Sequence, residues 1–304
     1  MKRKIISMEG GFLTFMVVAL LYIFLGSIFQ LANLVMGLFL SQILFLILVP
    51  WVVVKYKKYD MKLSFGVERA KRSVYWRVIL IMILTYPLAS MLSAFFSSLM
   101  DGIIPMPDLS IPLPKTFPEY LRSLFFFAIV PGVCEEWIFR GFLYRAMDGV
   151  KIRARIVFLA ALFALFHLNP HNVVGPFILG LVIGFIRYRT GSIYPAMVAH
   201  ATNNGIAMTI AYALRDMTDT VEDANLTLEN MQISGIQIFF VIAITCILIF
   251  ALYSMLRNFP RYNRKRTIVD APSTRGKVMM GVAFLLVTIG FSFAVYALMY
   301  GNPL

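Results

Sequence analysis

Residues 11–30 have the sequence GFLTFMVVALLYIFLGSIFQ, which contains no charged side chain. A helix needs about 20 apolar residues to cross the roughly 30 Å hydrocarbon core of a bilayer, because each residue adds about 1.5 Å. This stretch has both the length and the composition that such a helix requires. It therefore predicts a transmembrane helix near the N-terminus.

The same pattern recurs along the chain, in which 60% of residues are hydrophobic and only 14% are charged. An average soluble domain has roughly a quarter of its residues charged. We therefore predict an all-α, polytopic transmembrane helical bundle of eight to nine spans, which forms a single integral membrane domain over residues 1–304. The further apolar blocks lie near residues 34–54, 75–97, 119–144, 154–168, 172–188, 192–213, 235–256 and 278–300.

Charged residues are distributed as nine alternating spans require. The N-terminus and the loops on its side of the bilayer carry 24 of the 28 Lys and Arg residues, as the positive-inside rule predicts for cytoplasmic segments. The 214–234 loop, on the other side, is acidic. We expect a multi-pass cell-membrane protein with a cytoplasmic N-terminus and an external C-terminus. The net charge of +13 then follows from topology and attraction to lipid, and nucleic acid is not an expected partner.

Ionisable side chains within the apolar blocks mark candidate functional residues, because a charge in hydrocarbon is energetically costly. The sequence CEEWIFR occupies residues 134–140, FALFH occupies residues 163–167 and HATNN occupies residues 200–204. Helical rise from the nearest cytoplasmic arginines places Glu135, His167 and His200 roughly 15–18 Å above the membrane boundary. We therefore predict that these three side chains share one layer near the bilayer centre.

Helical spacing suggests how the polar side chains divide their roles. Glu136 and Arg140 are four residues apart and are expected to form an ion pair, which leaves Glu135 free. A carboxylate and an imidazole around a water molecule are sufficient for hydrolysis, and a second imidazole and an amide supply donors for an oxyanion. His200 and Asn204 lie on one helical stripe. Asn203 is expected to face elsewhere, and His171, in a short loop, is expected to be solvated.

A metal site is the alternative for the same residues. Glu135, His167 and His200 are a plausible ligand set for a divalent metal such as zinc with one open position, although the HExxH spacing of many metalloproteases is absent. The residue pattern therefore leaves both a metal-free hydrolase and a metalloprotease open.

The motifs EExxxR, FxxxH and HxxxN, in this order and each in an apolar helix, resemble those of the CPBP (CAAX protease and bacteriocin-processing, or Abi) family of intramembrane endopeptidases. This family includes the type II CAAX prenyl endopeptidases, and the resemblance covers residues 119–213, which we expect to be the catalytic helices. It implies that Glu135 is the catalytic glutamate and that His167 helps it to activate water. It also implies that His200 and Asn204 stabilise the oxyanion and that Glu136 and Arg140 support the site.

The resemblance implies hydrolysis of a membrane-associated or lipidated peptide in the bilayer. Both metal-dependent and metal-free glutamate mechanisms have been proposed for the family. The resemblance therefore implies either a divalent metal or no cofactor. A membrane transporter is the alternative function, because intramembrane Glu, Arg and His also serve as proton relays. The sequence shows no internal duplication of the kind that transporters use. A catalytically inactive immunity or scaffold protein is a further alternative.

Overall fold

The computed structural model describes residues 5–106, 112–215, 235–261 and 272–300, and most of these residues are helical. No β-strand occurs within these ranges, which confirms the predicted all-α class. The helices are α1 (Met8–Ala32), α2 (Leu34–Tyr56), α3 (Met61–Phe65), α4 (Arg72–Met100), α5 (117–146), α6 (Ile152–Phe166), α7 (Val174–Thr190), α8 (Tyr194–Ala213), α9 (Gly235–Arg257) and α10 (Thr274–Tyr300).

Five of these helices are long and apolar enough to cross a membrane, namely α1, α2, α4, α10 and the Phe239–Arg257 part of α9. Helices α6 and α7 have 15 and 17 residues and are shorter than a typical span. The chain is therefore a multi-pass helical membrane protein. The count of nine spans, the single domain over 1–304 and the orientation of the termini stay predictions. The basic residues at positions 2–4 and most of the acidic 214–234 loop lie outside the described residues.

Helix α5 is irregular at the depth of the predicted catalytic motif. Two π-helical segments, Leu124–Ile129 and Trp137–Leu143, flank about two regular α-helical turns at Val130–Glu136. Pro131 lies within the regular segment and has no backbone N–H, so it cannot bond to the carbonyl of Phe127 four residues earlier. Single π-helical turns inside α-helices are frequent at functional sites. The carboxylates of this motif thus come from a distorted stretch of helix.

Small residues allow the motif-bearing helices to approach each other closely. A Cβ atom on Gly132 of α5 would lie 2.8 Å from the backbone nitrogen of Ala201 in α8. A Cβ atom on Gly180 of α7 would lie 2.8 Å from the Cα of Ala160 in α6. Such contacts are the usual means of helix association in a bilayer, where the hydrophobic effect does not drive helices together. They hold α5, α6, α7 and α8 as one cluster.

Gly180→Val should lower the thermal stability of the protein, because the added side chain must displace the backbone of Ala160. Overpacking of this kind typically costs about 1–3 kcal/mol. The matched control is Gly281→Val in α10, where a Cβ atom would meet nothing within 4 Å. Thermal unfolding in detergent should give a lower midpoint for Gly180→Val than for Gly281→Val. Equal midpoints would contradict tight packing of α6 on α7.

Candidate active site

Three of the sequence-predicted residues meet at one carboxylate oxygen. The Nε2 atoms of His167 and His200 each lie 3.9 Å from Oε2 of Glu135. This distance exceeds that of a direct hydrogen bond. The Glu135 oxygen is buried and has no hydrogen-bond partner, which is unusual for a buried polar atom and typical of catalytic positions. The structure therefore places a carboxylate from α5 opposite imidazoles from the end of α6 and from α8.

His167 is held by the residue four positions before it. Its Nδ1 lies 2.8 Å from the carbonyl oxygen of Phe163, and because a carbonyl can only accept, Nδ1 carries the proton. In the neutral ring, the lone pair is then on Nε2, which faces Glu135. The ring of Phe163 packs edge-to-face on both His167 and His200. The FxxxH spacing thus fixes both the tautomer and the orientation of the imidazole.

His200 is oriented by Glu136. Its Nδ1 lies 2.9 Å from Oε1 of Glu136, and the same oxygen accepts a bond of 2.9 Å from Nη1 of Arg140. The predicted ion pair between Glu136 and Arg140 is therefore present, and it has a third member that the sequence did not indicate. The three side chains are at most 2% exposed. Because Nδ1 of His200 donates to Glu136, its Nε2 is the atom directed at Glu135.

Arg140 extends the network to a third helix and to an aromatic ring. Its Nη2 donates to the carbonyl of Gly180 in α7 at 3.2 Å. Its guanidinium lies 4.5 Å from the centre of the Phe163 ring, within the range of a cation–π contact. The charge of Glu136 is thus balanced by Arg140. The charge of Glu135 is balanced whenever one of the two facing imidazoles is protonated.

The side-chain amide of Asn204 binds to the irregular part of α5. Its Nδ2 donates to the carbonyl of Phe127 at 3.1 Å, which has no N–H donor four residues later because residue 131 is proline. Asn203, which was expected to face elsewhere, donates to Oδ1 of Asn204 at 3.2 Å. The two adjacent amides therefore interact directly. The second N–H of the Asn204 amide is the donor that it can offer to a substrate.

Sequence reasoning missed two polar side chains near the site. Tyr22 of α1 packs on Phe166, the residue before His167, with ring centres 5.1 Å apart. Gln42 of α2 is 5% exposed, and its Oε1 has no hydrogen-bond partner. It begins a π-helical segment that packs against Val130–Glu136. Each is an uncharged residue in a long apolar block, so no local pattern distinguished it.

The types of side chain at the site suit a metal ion, but the distances between them do not. Two imidazole Nε2 atoms with oriented rings and one carboxylate oxygen are ligands that zinc prefers, and Glu136 holds His200 as carboxylates often hold metal-bound histidines. Within the described residues, however, no three His, Cys, Asp or Glu side chains are arranged to hold one ion. We therefore derive no catalytic step through a metal.

Arg140→Ala should reduce the yield of folded protein, because it leaves the carboxylate of Glu136 buried without its balancing cation. Breaking one partner of a buried pair typically costs about 3–5 kcal/mol. Arg153→Ala removes an exposed arginine from α6 and is the matched control. Size-exclusion chromatography and thermal unfolding of both variants test the expectation. A fully stable Arg140→Ala protein would mean that Glu136 does not depend on this ion pair.

Comparison with known proteins identifies the family of the motif-bearing segment. No curated protein and no solved structure matches the chain. Residues 117–206 match the family described as type II CAAX prenyl endopeptidase Rce1-like. The matched range contains Glu135, His167, His200 and Asn204, together with their supporting residues. The motif-bearing segment is therefore similar to the type II CAAX prenyl endopeptidase Rce1-like family.

Proposed function

We propose that this protein is an intramembrane endopeptidase that hydrolyses peptide bonds of membrane-associated or lipidated peptides with a water activated by Glu135 and His167. The observation that carries the proposal is the buried, unpartnered Oε2 of Glu135, which both imidazole Nε2 atoms face at 3.9 Å. An unpaired carboxylate beside two oriented imidazoles is the arrangement that proton transfer to and from water requires. The family match supports a protease of the CAAX-processing type.

The proposed reaction begins with deprotonation of water. Glu135 takes one proton, while Nε2 of His167 accepts a hydrogen bond from the other hydrogen and so orients the nucleophile. The hydroxide adds to the carbonyl carbon of the peptide bond and forms a tetrahedral intermediate. When the carbon–nitrogen bond breaks, the proton passes from Glu135 to the departing amine. The products are a carboxylic acid and an amine, and Glu135 returns to its ionised form.

Two donors are available for the negatively charged oxygen of the intermediate. The amide of Asn204 keeps one N–H in addition to the one that bonds to Phe127. His200 donates through Nε2 when it is protonated, and Glu136 orients the ring because its carboxylate accepts from Nδ1. Preorganised donors in a site that excludes water are usually the largest contribution to catalysis of acyl transfer.

The substrate class follows from the location of the site and from the family. A hydrolytic site among membrane helices acts on chains that the bilayer brings to it, which favours membrane-bound or lipid-modified peptides. The name of the matched family refers to prenylated CAAX proteins, and prenylated peptides are therefore the first substrates to test. The Glu135 oxygen beside two oriented imidazoles supports hydrolysis; a transporter and an inactive scaffold are the alternatives that the variants below distinguish.

Glu135→Gln should reduce hydrolysis to background while the protein stays folded and membrane-inserted, because the amide keeps the shape of the side chain but cannot accept the proton. Glu119→Gln is the matched control: Glu119 lies in the capping box at the start of the same helix, where Gln is also suitable. The measurement is cleavage of a prenylated peptide by purified protein, together with the membrane peptidomes of cells with each variant. Identical peptidomes for wild type and Glu135→Gln would instead favour a transporter or scaffold.

Asn204→Ala should leave detectable activity, because it removes one oxyanion donor and keeps the general base. Losses of about 10²–10³ in turnover are typical for such a donor. Turnover numbers at saturating peptide, compared with those of Asn203→Ala, measure the effect. A wild-type turnover number in Asn204→Ala would remove this residue from the catalytic group.

Metal dependence is tested separately. If Glu135 and His167 act on water alone, active purified protein should contain less than one equivalent of metal and should retain activity during slow chelation. Metal analysis and activity should be followed on the same sample. Joint loss of one bound metal and of activity in His167→Ala and His200→Ala would show instead that both imidazoles are metal ligands, because each variant removes one.

A further inference from the structure

A second polar cluster surrounds His171, four residues after His167. The sequence predicted a solvated loop histidine, but His171 is 5% exposed, so this expectation is wrong. Its Nδ1 lies 3.1 Å from the hydroxyl of Ser97, and its Nε2 lies 3.0 Å from the carbonyl oxygen of Ile104. The ring is buried because both nitrogens find partners on the end of α4 and on the turn that follows it.

The end of α4 brings these partners together. The N–H of Asp101 bonds to the carbonyl of Ser97, and the N–H of Ile104 bonds to the carbonyl of Met100. The chain therefore continues to turn after the helix ends, and the carbonyl of Ile104 returns to the ring of His171. Asp101 is four residues after Ser97 on the same face, and its Oδ1 lies 3.4 Å from Nδ1 of His171.

The hydrogen bonds fix the tautomer of His171. A carbonyl oxygen only accepts, so Nε2 carries the proton that bonds to Ile104. In the neutral ring Nδ1 is then an acceptor, and the hydroxyl of Ser97 donates to it. A serine hydroxyl bonded to an imidazole that a third group orients is the arrangement of an activated nucleophile. The carboxylate of Asp101 stabilises the ring once Nδ1 has taken up a proton.

The two residues open onto a cavity of about 350 Å³, which is lined by Ser93, Ser97, Met106, Asn169, His171 and Asn172. Oδ1 of Asn169 accepts from the backbone N–H of His171, and Oδ1 of Asn172 accepts from the hydroxyl of Ser93. Because both amide oxygens are occupied, the NH₂ groups are the donors that these asparagines can offer to a ligand. The cavity thus combines a nucleophile, a base and candidate oxyanion donors.

The surroundings of the cavity are apolar. Phe95 and Leu99 of α4 and Ile103 and Met106 after it are between 52% and 64% exposed. These side chains lie at the end of a helix that is long enough to cross the membrane. A molecule with an apolar chain that lies at the membrane surface is therefore the kind of substrate that can reach the hydroxyl of Ser97.

We propose that Ser97 and His171 form a second hydrolytic site, which acts on carboxylic esters of membrane lipids. The oxygen of Ser97 attacks the ester carbonyl carbon as its proton passes to Nδ1 of His171. The carbon–oxygen bond of the ester breaks, and the departing alcohol takes that proton. A water molecule, deprotonated by His171, then releases the acid from the acyl-serine and restores the hydroxyl. This activity does not depend on Glu135.

Labelling with a fluorophosphonate tests the proposal, because this reagent forms a covalent bond with activated serines. We expect the purified full-length protein in detergent to be labelled at Ser97, as mapped by mass spectrometry, and to hydrolyse p-nitrophenyl butyrate. Both signals should persist in Glu135→Gln and fall to background in Ser97→Ala. Failure of the peptidase assay would leave this result unaffected, so the two functions are tested independently.

Two further variants separate catalysis from folding. His171→Gln keeps a donor for the carbonyl of Ile104 but removes the base, so labelling should disappear while the thermal unfolding midpoint changes little. Ser98→Ala removes the exposed hydroxyl next to Ser97, which bonds to the carbonyl of Phe95 and does not line the cavity, and should keep both signals. The proposal is overturned if wild type is labelled no more than Ser97→Ala, or if His171→Gln keeps full labelling. In either case, the cluster only ties the 167–173 loop to α4.

Discussion

The buried carboxylate of Glu136 holds the candidate active site together. Its Oε1 accepts from Arg140 in the same helix and from His200 in α8, each at 2.9 Å. An ionised carboxylate at this depth is tolerated only when it is paired and hydrogen-bonded, because few other groups replace its lost hydration. The pairing therefore constrains α5 and α8 relative to each other. Through the bond from Arg140 to Gly180, it also fixes α7.

This constraint determines the chemistry at the neighbouring residue. Because Glu136 occupies Nδ1 of His200, the other nitrogen of that ring faces Glu135. Phe163 does the same for His167 through its backbone carbonyl. Two adjacent carboxylates in one helix thus have different surroundings. Glu136 is hydrogen-bonded to Arg140 and His200, whereas Oε2 of Glu135 has no hydrogen-bond partner. Differences of this kind between neighbouring acids allow one of them to act on substrate.

The irregular backbone of α5 is part of the same arrangement. In a bilayer, a carbonyl without a partner is costly, and non-helical backbone is tolerated only where protein satisfies it. Pro131 removes the normal partner of Phe127, and the amide of Asn204 replaces it. The residue expected to stabilise an oxyanion therefore also stabilises the distortion. On the opposite side of the site, Leu168 follows His167 with a positive φ of 52°, a conformation that non-glycine residues adopt at a cost. The loop that starts there is held to α4 by His171.

The sequence by itself determined the membrane character, the helical class and the residues that meet at the site. Charge-free blocks of about 20 residues can be read directly from the sequence. Pairs four residues apart, such as Glu136 with Arg140 and Phe163 with His167, can be read in the same way. Only the tertiary structure decided the contacts of His200 with Glu136, Asn204 with Phe127 and Ser97 with His171, which join residues 64, 77 and 74 positions apart. Such contacts depend on which faces of the helices meet. A helix that is apolar on every side carries little pattern to indicate its packing face. These partners therefore depend on the tertiary packing, in which small residues such as Gly132 and Gly180 let the helices approach each other.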